Sequence, residues 1–428
     1  MIRFITSLFT LAGLAFSQEP PPSEENSSVA VHLDHLTDFP PLGEARMCQT
    51  TFEDGRWHKN PKPSNPDRAD NTGDGQALII YKPDGTKRWI LIMRTGTPPT
   101  GGAMWVRDYD GRGPYEGWTG NQQINPIKIY GIPPHSHGNI DTWHGFQNPY
   151  TLVVTYLAGC KPGNRPAGAN GVIFSLQRIT SADPAINPES WTRYPNELVL
   201  TPHDDAPWEQ PVYYKLENEY WGGCAEGSIL YDPQLDLVVG FYVGKTREEP
   251  DDFGERGRWR LGRYIVGVRH VDMQFVAERL PAPGPGSYVF DPVLHGADGE
   301  YGADNATAVW GTANTMMQPS VSRNPRDGVY HLLRWGKKPN TKPGKENATL
   351  GLAHHYSFDH GETWHADANN PILTRESLGW ESVTANQLNS PHMVWDTEAG
   401  KAYIMFWGNP VGRQNQNGTR MWCMEFAL

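Results

Sequence analysis

A short structural unit recurs five times along this chain of 428 residues. Each copy is an apolar strand, a turn rich in Pro, Asp and Gly, and a stronger strand rich in aromatic and β-branched residues, as in EGSILYDPQLDLVVGFYVG. Turn chemistry and residue alternation predict a β-hairpin for each copy. The copies follow one another at intervals of roughly 60–95 residues, a spacing typical of blades with inserted loops. In chain order they begin at Gln76, Gly138, Glu226, Gln318 and Ser390.

The repeated hairpin predicts an all-β fold, a five-bladed β-propeller. Further strand-like segments follow the second, third and fourth hairpins, and a hairpin with two more strands makes a four-stranded blade. A six-bladed propeller is an open alternative, because residues 288–310 could contain another blade although they lack a clean hairpin. A β-sandwich with the same number of strands is the other alternative, but a sandwich does not require a repeating hairpin.

Strand-like segments at the two ends of the chain predict how the ring closes. RMCQTTFEDGRW, from Arg46, has no partner nearby in sequence, and TRMWCMEFAL follows the fifth hairpin. In a closed propeller the N-terminal strand completes the last blade and removes its open edge. Four cysteines in an exported protein favour two disulfides, with three possible pairings. Because these two segments contain Cys48 and Cys423, we expect a bond between them, and Cys160 and Cys224 would then form the second.

The first segment, MIRFITSLFTLAGLAFSQ, is typical of a secretory signal peptide. Its apolar part, Phe4–Phe16, is shorter than the about 20 residues that a membrane-spanning helix needs. We therefore expect residues 1–17 to be a signal peptide, residues 18–45 a flexible linker and residues 46–428 a single propeller domain of a secreted protein. Glycosylation is expected at three sequons of that domain: Asn305, Asn347 and Asn417.

The charge of the chain argues against a nucleic-acid partner. The net charge is −11, and the basic residues are not clustered into the concentrated surface that phosphate binding needs. After the first segment, no stretch is apolar enough to cross a bilayer, so no membrane partner is expected. We also expect a monomer.

One motif of defined pattern lies in the fourth unit. SFDHGETW, Ser357–Trp364, matches the sialidase-type Asp-box Ser-x-Asp-x-Gly-x-Thr-Trp at every defined position. The resemblance implies a β-turn between the outer strands of a propeller blade. Asp359 and Gly361 suit such a turn, and Trp364 is expected to pack beneath it. We interpret the motif as part of the scaffold and not of a catalytic site.

The hairpin that begins at Glu226 resembles the third blade of the five-bladed propeller glycosidases, the group of arabinanases, xylosidases, arabinofuranosidases and invertase-like enzymes. In that group a Glu at the start of the innermost strand of the third blade is the general acid, and AEGSILYD is similar to that pattern. The resemblance implies a secreted glycoside hydrolase that cleaves an extracellular poly- or oligosaccharide, with Glu226 as its acid.

The resemblance also implies acidic residues on the first two blades. The base or nucleophile of the first blade would be Asp74, with Asp70 as the alternative, and the orienting group of the second would be Asp141. Alignment of the hairpins instead places His137 at the position equivalent to Glu226. Because of this departure from the pattern, His137 is also a candidate for a role in the reaction.

Glycoside cleavage needs two carboxyl groups, one to protonate the leaving oxygen and one to act on water or on the anomeric carbon. The funnel of a propeller can hold such a pair, because the inner strands of all blades converge there. To act as the acid, Glu226 must stay protonated. Apolar neighbours and a nearby carboxylate would both raise its pKa.

Other residues are candidates for contacts with a sugar or a cation. Trp143 and Trp221 lie near predicted strand ends, where an exposed indole forms a flat platform for a sugar ring. His392, at the mouth of the fifth blade, is either a sugar contact or a hydrogen-bonded histidine at a strand end. PPHSHGNIDTWH concentrates histidines, but its ligand count does not favour zinc. We expect no required cofactor, and a single calcium or sodium ion at the funnel centre stays open.

Two rival functions remain at this point. A propeller polysaccharide lyase would use His137 or a tyrosine to abstract a proton next to a uronic acid carboxylate. A non-catalytic lectin would show several similar sugar pockets, one per blade, and the unequal loops of this chain do not favour that arrangement.

Overall fold

The computed structural model shows an all-β chain. Within the residues that it describes, regular helical structure is limited to one 3₁₀ turn, Pro207–Glu209, and no helix is long and apolar enough to cross a membrane. The predicted signal peptide, most of the predicted linker and the three sequons lie outside the described residues. These are residues 41–49, 73–82, 84–94, 102–108, 113–120, 136–148, 151–160, 173–181, 191–193, 200, 202–210, 212–214, 219–221, 223–250, 257–266, 277–291, 317–337, 350–374, 377–380, 388–408 and 420–428.

The β-strands account for nearly all of the regular structure. Numbered in chain order, they are β1 (Arg46–Met47), β2 (Gly73–Tyr81), β3 (Lys87–Arg94), β4 (Gly102–Asp108), β5 (Thr119–Gly120), β6 (Ser136–Asn148), β7 (Thr151–Cys160), β8 (Ile173–Ser181), β9 (Trp191–Arg193), β10 (Val212–Tyr214), β11 (Glu219–Trp221), β12 (Gly223–Asp232), β13 (Leu237–Pro250), β14 (Gly257–Val266), β15 (Ala277–Arg279), β16 (Met317–Arg323), β17 (Tyr330–Lys337), β18 (Leu350–Ser357), β19 (His365–Ala366), β20 (Leu373–Thr374), β21 (Leu388–Asp396), β22 (Lys401–Gly408) and β23 (Arg420–Ala427).

The strands form five antiparallel units that correspond to the five predicted hairpins. Unit 1 is β2–β5, unit 2 is β6–β9, unit 3 is β12–β15, unit 4 is β16–β20, and unit 5 is β21–β23 with β1. In every unit the first two strands form the predicted hairpin. Units 2 and 3 belong to one eight-stranded sheet, joined by the parallel pair of Gly223 with Phe174. Strands β10 and β11 form a separate hairpin.

Strand β22, KAYIMFWG, illustrates why these segments form strands. It lies between β21 and β23, and nearly all of it is buried, so aromatic and β-branched side chains pack on both faces. The turn before it is set by Asp396, whose carboxylate accepts the backbone N–H of Ala399 at 3.1 Å. Gly400 follows with a φ of +64°, a conformation that favours glycine.

The first strands of the five units contact one another in a cycle. Strand β2 contacts β6, β6 contacts β12, β12 contacts β16, β16 contacts β21, and β21 contacts β2. Apolar clusters of described residues pack unit 5 against unit 1 and unit 3 against unit 4. Trp89 of unit 1 lies edge-on to Tyr403 of unit 5 with ring centroids 5.3 Å apart, and Phe241 of unit 3 lies edge-on to Tyr330 of unit 4 at 6.1 Å.

The two ends of the chain meet in unit 5. As the sequence predicts, β1 pairs with β23, which places Arg46 opposite Cys423. The contact begins before residue 46, because the backbone N–H of Gly43 donates to the carbonyl of Glu425 at 2.8 Å. The Arg46 guanidinium lies 4.0 Å over the ring of Tyr115, whose hydroxyl donates to Glu425 at 3.1 Å. The N-terminal segment therefore lies between units 5 and 1.

The prediction of two disulfides is wrong for the described thiols. Cys48, Cys224 and Cys423 are buried free cysteines, and only the backbone of Cys160 is described. The backbone N–H of Cys48 donates to the carbonyl of Met421, so Cys48 lies diagonally from Cys423 across the β1–β23 pair. Diagonal Cα atoms are about 7–8 Å apart, beyond the about 6.8 Å upper limit of ordinary disulfides. The proximity of Cys48 and Cys423 is confirmed, since their thiols interact, but the bond is not.

The Asp-box forms the turn between β18 and β19. Asp359 accepts hydrogen bonds from the Ser357 hydroxyl at 2.7 Å and from the Thr363 backbone N–H at 2.9 Å. The Trp364 ring is buried, with its centroid 5.9 Å from that of Phe241 in unit 3. The motif is therefore a scaffold turn, as the sequence predicts, and it also packs unit 4 against unit 3.

Candidate active site

All five first strands share an irregularity near their beginning. In four of them two residues lie opposite a single residue of the second strand, the pattern of a β-bulge; in β6 three residues do. Bulges re-aim side chains and are over-represented next to active sites. The register breaks lie between Gly73 and Gln76, Ser136 and Ile140, Ala225 and Ser228, Met317 and Ser320, and Asn389 and His392.

Two predicted catalytic carboxylates occupy the same position of this repeat. Asp74 in β2 and Glu226 in β12 are each the first residue of the bulge. Each is followed by a glycine, Gly75 or Gly227, and units 4 and 5 have a proline at that second position. The structure describes the backbone of Asp74 and Glu226 and not their side chains, and Asp70 lies outside the described residues.

The irregular segment of β6 contains His137, followed by a glycine as at the other two sites. Asp141 lies beyond the segment and pairs with Leu157. The register therefore agrees with the sequence alignment that sets His137, rather than Asp141, level with Glu226. For His137 and Asp141, and for the two predicted sugar platforms Trp143 and Trp221, the described part of the structure is the backbone.

The residue that follows the bulge links one unit to the next. The hydroxyl of Ser228 donates to the carbonyl of Pro319 at 3.2 Å and accepts the backbone N–H of Val321 at 2.9 Å. At the same position of unit 5, Nε2 of His392 accepts the backbone N–H of Ala77 at 2.8 Å. Both acceptors therefore bind the first strand of the following unit.

The position of His392 favours a structural role over contact with a sugar. It is 1% exposed, and its Nδ1 lies 3.1 Å from the carbonyl of Ser390. Because Nε2 accepts an N–H, the ring proton is on Nδ1 and is donated to that carbonyl. Burial lowers the pKa of His392 to about 4, so the ring is neutral near pH 7. Both ring nitrogens thus bind backbone groups.

A buried carboxylate that the sequence analysis missed lies next to the bulge of unit 3. Glu209, at the end of the 3₁₀ turn, is fully buried. Arg279 donates to it from two nitrogens, Nε to Oε1 at 3.0 Å and Nη2 to Oε2 at 2.9 Å. Oε1 also accepts the hydroxyl of Tyr242. Oε2 accepts the backbone N–H of His203 at 2.9 Å and lies 3.5 Å from Sγ of Cys224.

These contacts define a role for Glu209. Burial raises the pKa of the Cys224 thiol and of the Tyr242 phenol, so both remain protonated donors. The lone pairs of Glu209 are occupied by these donors and by Arg279, so its contacts are structural ones within the protein. The only sequence signal of this group is an acidic residue in the apolar stretch APWEQP, because its partner at Arg279 lies 70 residues away.

The cation that the sequence left open has no described site. Among the residues that the structure describes, no three His, Cys, Asp or Glu side chains come together as a metal-binding group. The side chains of Asp74, His137 and Glu226, at the bulges of units 1 to 3, are not among those residues.

No protein-family profile and no curated protein matches the sequence. Solved structures do resemble it. A glycoside hydrolase superposes with a TM-score of 0.49 at 13% identity, covering 90% of this chain and 91% of that one. An exo-1,5-α-L-arabinanase from a bovine ruminal metagenomic library has a TM-score of 0.43 at 13% identity, covering 81% and 91%. The kestose-bound inulosucrase of Halalkalicoccus jeotgali has a TM-score of 0.47 at 11% identity, covering 91% and 88%. Likeness at this level does not establish a reaction.

Proposed function

We propose that the five units are the blades of a five-bladed β-propeller. The cycle of contacts among β2, β6, β12, β16 and β21 supports this fold, and so does the pairing of β1 with β23 in the last unit. In a propeller the innermost strands surround a central channel. The five bulges, which all lie at the beginning of a first strand, would then surround one end of that channel.

On this fold, we propose that the chain is a secreted glycoside hydrolase. The observation that carries the proposal is the shared bulge position of Asp74 and Glu226. Their strands, β2 and β12, both contact β6 and so flank it on either side. Two carboxyl groups from non-adjacent blades would supply the pair that glycoside cleavage needs if both face one channel.

In the proposed mechanism Glu226 protonates the glycosidic oxygen and Asp74 acts on water or on the anomeric carbon. A separation of about 5–5.5 Å between the carboxyl groups would give retention, and about 6.5–9.5 Å would give inversion. Apolar surroundings or a nearby carboxylate would favour the protonated form that Glu226 needs as the acid. His137, at the bulge of the strand between the two, would orient the substrate.

The remaining expectations complete the proposal. Asp141 is the alternative orienting group on β6, and Trp143 and Trp221 are the proposed platforms for sugar rings. The protein would act as a monomer on an extracellular carbohydrate after removal of residues 1–17, with glycans at its three sequons. A calcium or sodium ion in the channel is compatible with this mechanism but is not required by it.

A polysaccharide lyase is the second candidate, and the place of His137 favours it. A histidine level with Glu226 and Asp74 could abstract the proton next to a uronic acid carboxylate. The products separate the two reactions: a lyase forms an unsaturated sugar that absorbs in the ultraviolet, whereas a hydrolase forms reducing ends without that absorbance.

The decisive experiment compares Glu226→Gln and Asp74→Asn with the wild-type protein. The substrate is first found by screening plant, fungal and algal polysaccharides and measuring product masses. Each variant should lower kcat by about 10²–10⁴-fold, since each loses a proton-transfer group or nucleophile. Asp236→Asn is the matched control: Asp236 is an exposed turn residue at the other end of the same hairpin, with a φ of 58° that asparagine tolerates. Unchanged turnover in Glu226→Gln would rule out the proposed acid.

A further inference from the structure

We propose that Glu209 is a positioning residue for the reaction. With Tyr242 and Arg279, it holds the backbone of the bulge that carries Glu226. The catalytic part of this inference rests on the proposed function of Glu226, whereas the holding of the bulge does not.

The first step is that Glu209 contacts both strands of the bulge. Cys224, whose Sγ lies 3.5 Å from the carboxylate, precedes Glu226 by two residues on β12. Tyr242, which donates its hydroxyl to the same carboxylate, is the single residue of β13 opposite Glu226 and Gly227. One buried group thus spans the point where the two strands lose their register.

The second step is that this point needs support from outside the ladder. A bulge leaves its extra residue unpaired and disrupts the local hydrogen bonds of the ladder. On the side away from β13, the described strand pairing of β12 is the parallel pair of Gly223 with Phe174. Contacts from side chains therefore contribute to where the bulge backbone lies.

The third step is that Glu209 is itself fixed. Arg279, at the end of the outermost strand of the unit, donates to both of its carboxylate oxygens. The neighbouring Trp208 stacks on Tyr242 with ring centroids 5.6 Å apart and donates to the hydroxyl of Ser287 at 3.1 Å. A carboxylate bound by a planar guanidinium has little freedom to rotate. Glu209 therefore restricts the positions of the Cys224 and Tyr242 side chains that contact it.

The same strand offers a matched control at its far end. There, Asp232 is fully buried and accepts the hydroxyl of Tyr330 at 2.5 Å. Tyr242→Phe and Tyr330→Phe each remove one buried phenol that donates to one buried carboxylate, Glu209 beside the start of β12 or Asp232 at its end. The first phenol lies opposite the bulge, whereas the second binds Asp232, six residues along β12 from Glu226.

The experiment measures amide hydrogen exchange and kinetics of the full-length protein. Tyr242→Phe should speed exchange in residues 224–228, lower kcat by about tenfold or more and leave KM within about twofold, because small displacements of a reacting group reduce turnover steeply. Tyr330→Phe should lower thermal stability to a similar extent without either effect. Glu209→Gln, which removes the negative charge from the group that accepts both Arg279 hydrogen bonds, should repeat the effects of Tyr242→Phe in stronger form.

Unchanged exchange in residues 224–228 of Tyr242→Phe would overturn the inference, and so would equal losses of kcat in the two phenylalanine variants. If the wild-type protein cleaves no glycan, the proposed function fails instead. The exchange comparison then decides alone whether Glu209 holds the bulge: faster exchange in Tyr242→Phe than in Tyr330→Phe supports it, and equal exchange overturns it.

Discussion

The imidazole of His392 accepts the backbone N–H of Ala77 at 2.8 Å, across 315 residues of sequence. This bond joins the first strand of the last unit to the first strand of the first unit. The same position of unit 3 is occupied by Ser228, which accepts the N–H of Val321 in unit 4. The contact between the ends of the repeat is therefore made in the same way as a contact between consecutive repeats.

His392→Ala should lower the free energy of unfolding by about 2–4 kcal/mol, because it leaves the Ala77 N–H buried without an acceptor and opens a cavity. Chemical denaturation at pH 7 measures the loss. His392→Gln, which retains an acceptor, should lose less, and equal losses in the two variants would show that the hydrogen bond is unimportant.

His392 should also contribute to the pH dependence of the free energy of unfolding. Its pKa is lowered to about 4 in the folded protein from an ordinary value near 6.5. The unfolded chain therefore binds more protons between these values, so the stabilisation is complete above pH 6.5 and is lost as the pH falls toward 4. The size of this effect is about 3 kcal/mol.

Buried His331 and His354 also have lowered pKa values and act in the same direction. The comparison of wild type with His392→Gln isolates the contribution of His392. Denaturation curves measured from pH 7 to pH 4 should converge as the pH falls, and curves that stay parallel would contradict the assignment.

Asp232→Asn should destabilise the protein by about 2–3 kcal/mol without lowering kcat. Its carboxylate accepts the Tyr330 hydroxyl at 2.5 Å and the backbone N–H of Gln234 at 2.8 Å, and it lies 2.7 Å from Nδ1 of His360. The amide would turn a donor toward one of these donors. Asp232 is about 20 Å along the strand from Glu226, so saturating-substrate activity of the folded variant should match wild type, and a large drop in kcat would contradict this separation of roles.

Gly361→Ala in the Asp-box should cost more stability than Gly85→Ala. The two glycines have nearly equal φ values, +83° and +81°, so the backbone penalty of about 1–2 kcal/mol is shared. An added Cβ at Gly361 would collide with Cζ of Phe241, whereas nothing lies within 4 Å of one at Gly85. Overpacking should add about 1–3 kcal/mol at Gly361. Thermal unfolding of the two variants measures the difference, and equal losses would place the Asp-box turn away from unit 3.

Cys48, Cys224 and Cys423 should resist alkylation in the native protein, because all three are buried. Denaturation without a reductant should make all three react, as mass spectrometry of labelled peptides will show. A Cys48–Cys423 pair that reacts only after reduction would mean that the β1–β23 register shifts to bring the two residues directly opposite each other.

The amino-acid sequence alone was sufficient for the repeating architecture. Alternating apolar residues and turn residues act over a few positions, so the five hairpins, the Asp-box turn and the pairing of the terminal strands could all be predicted. Alignment of the hairpins placed His137 level with Glu226, whereas Asp74 was singled out only by the resemblance to the propeller glycosidases.

Contacts between distant segments set everything that depends on burial and on partners. From the sequence, His392 could be either a sugar contact or a structural histidine. The hydrogen bond that it accepts from the backbone N–H of Ala77 favours the structural role. Sequence reasoning paired Cys48 with Cys423, but the register makes them diagonal neighbours. Glu209 was missed because its role depends on the hydrogen bonds from Arg279, which lies 70 residues away in the sequence. A side chain's environment is a property of the packed chain, since burial and hydrogen bonding depend on groups that are remote in sequence.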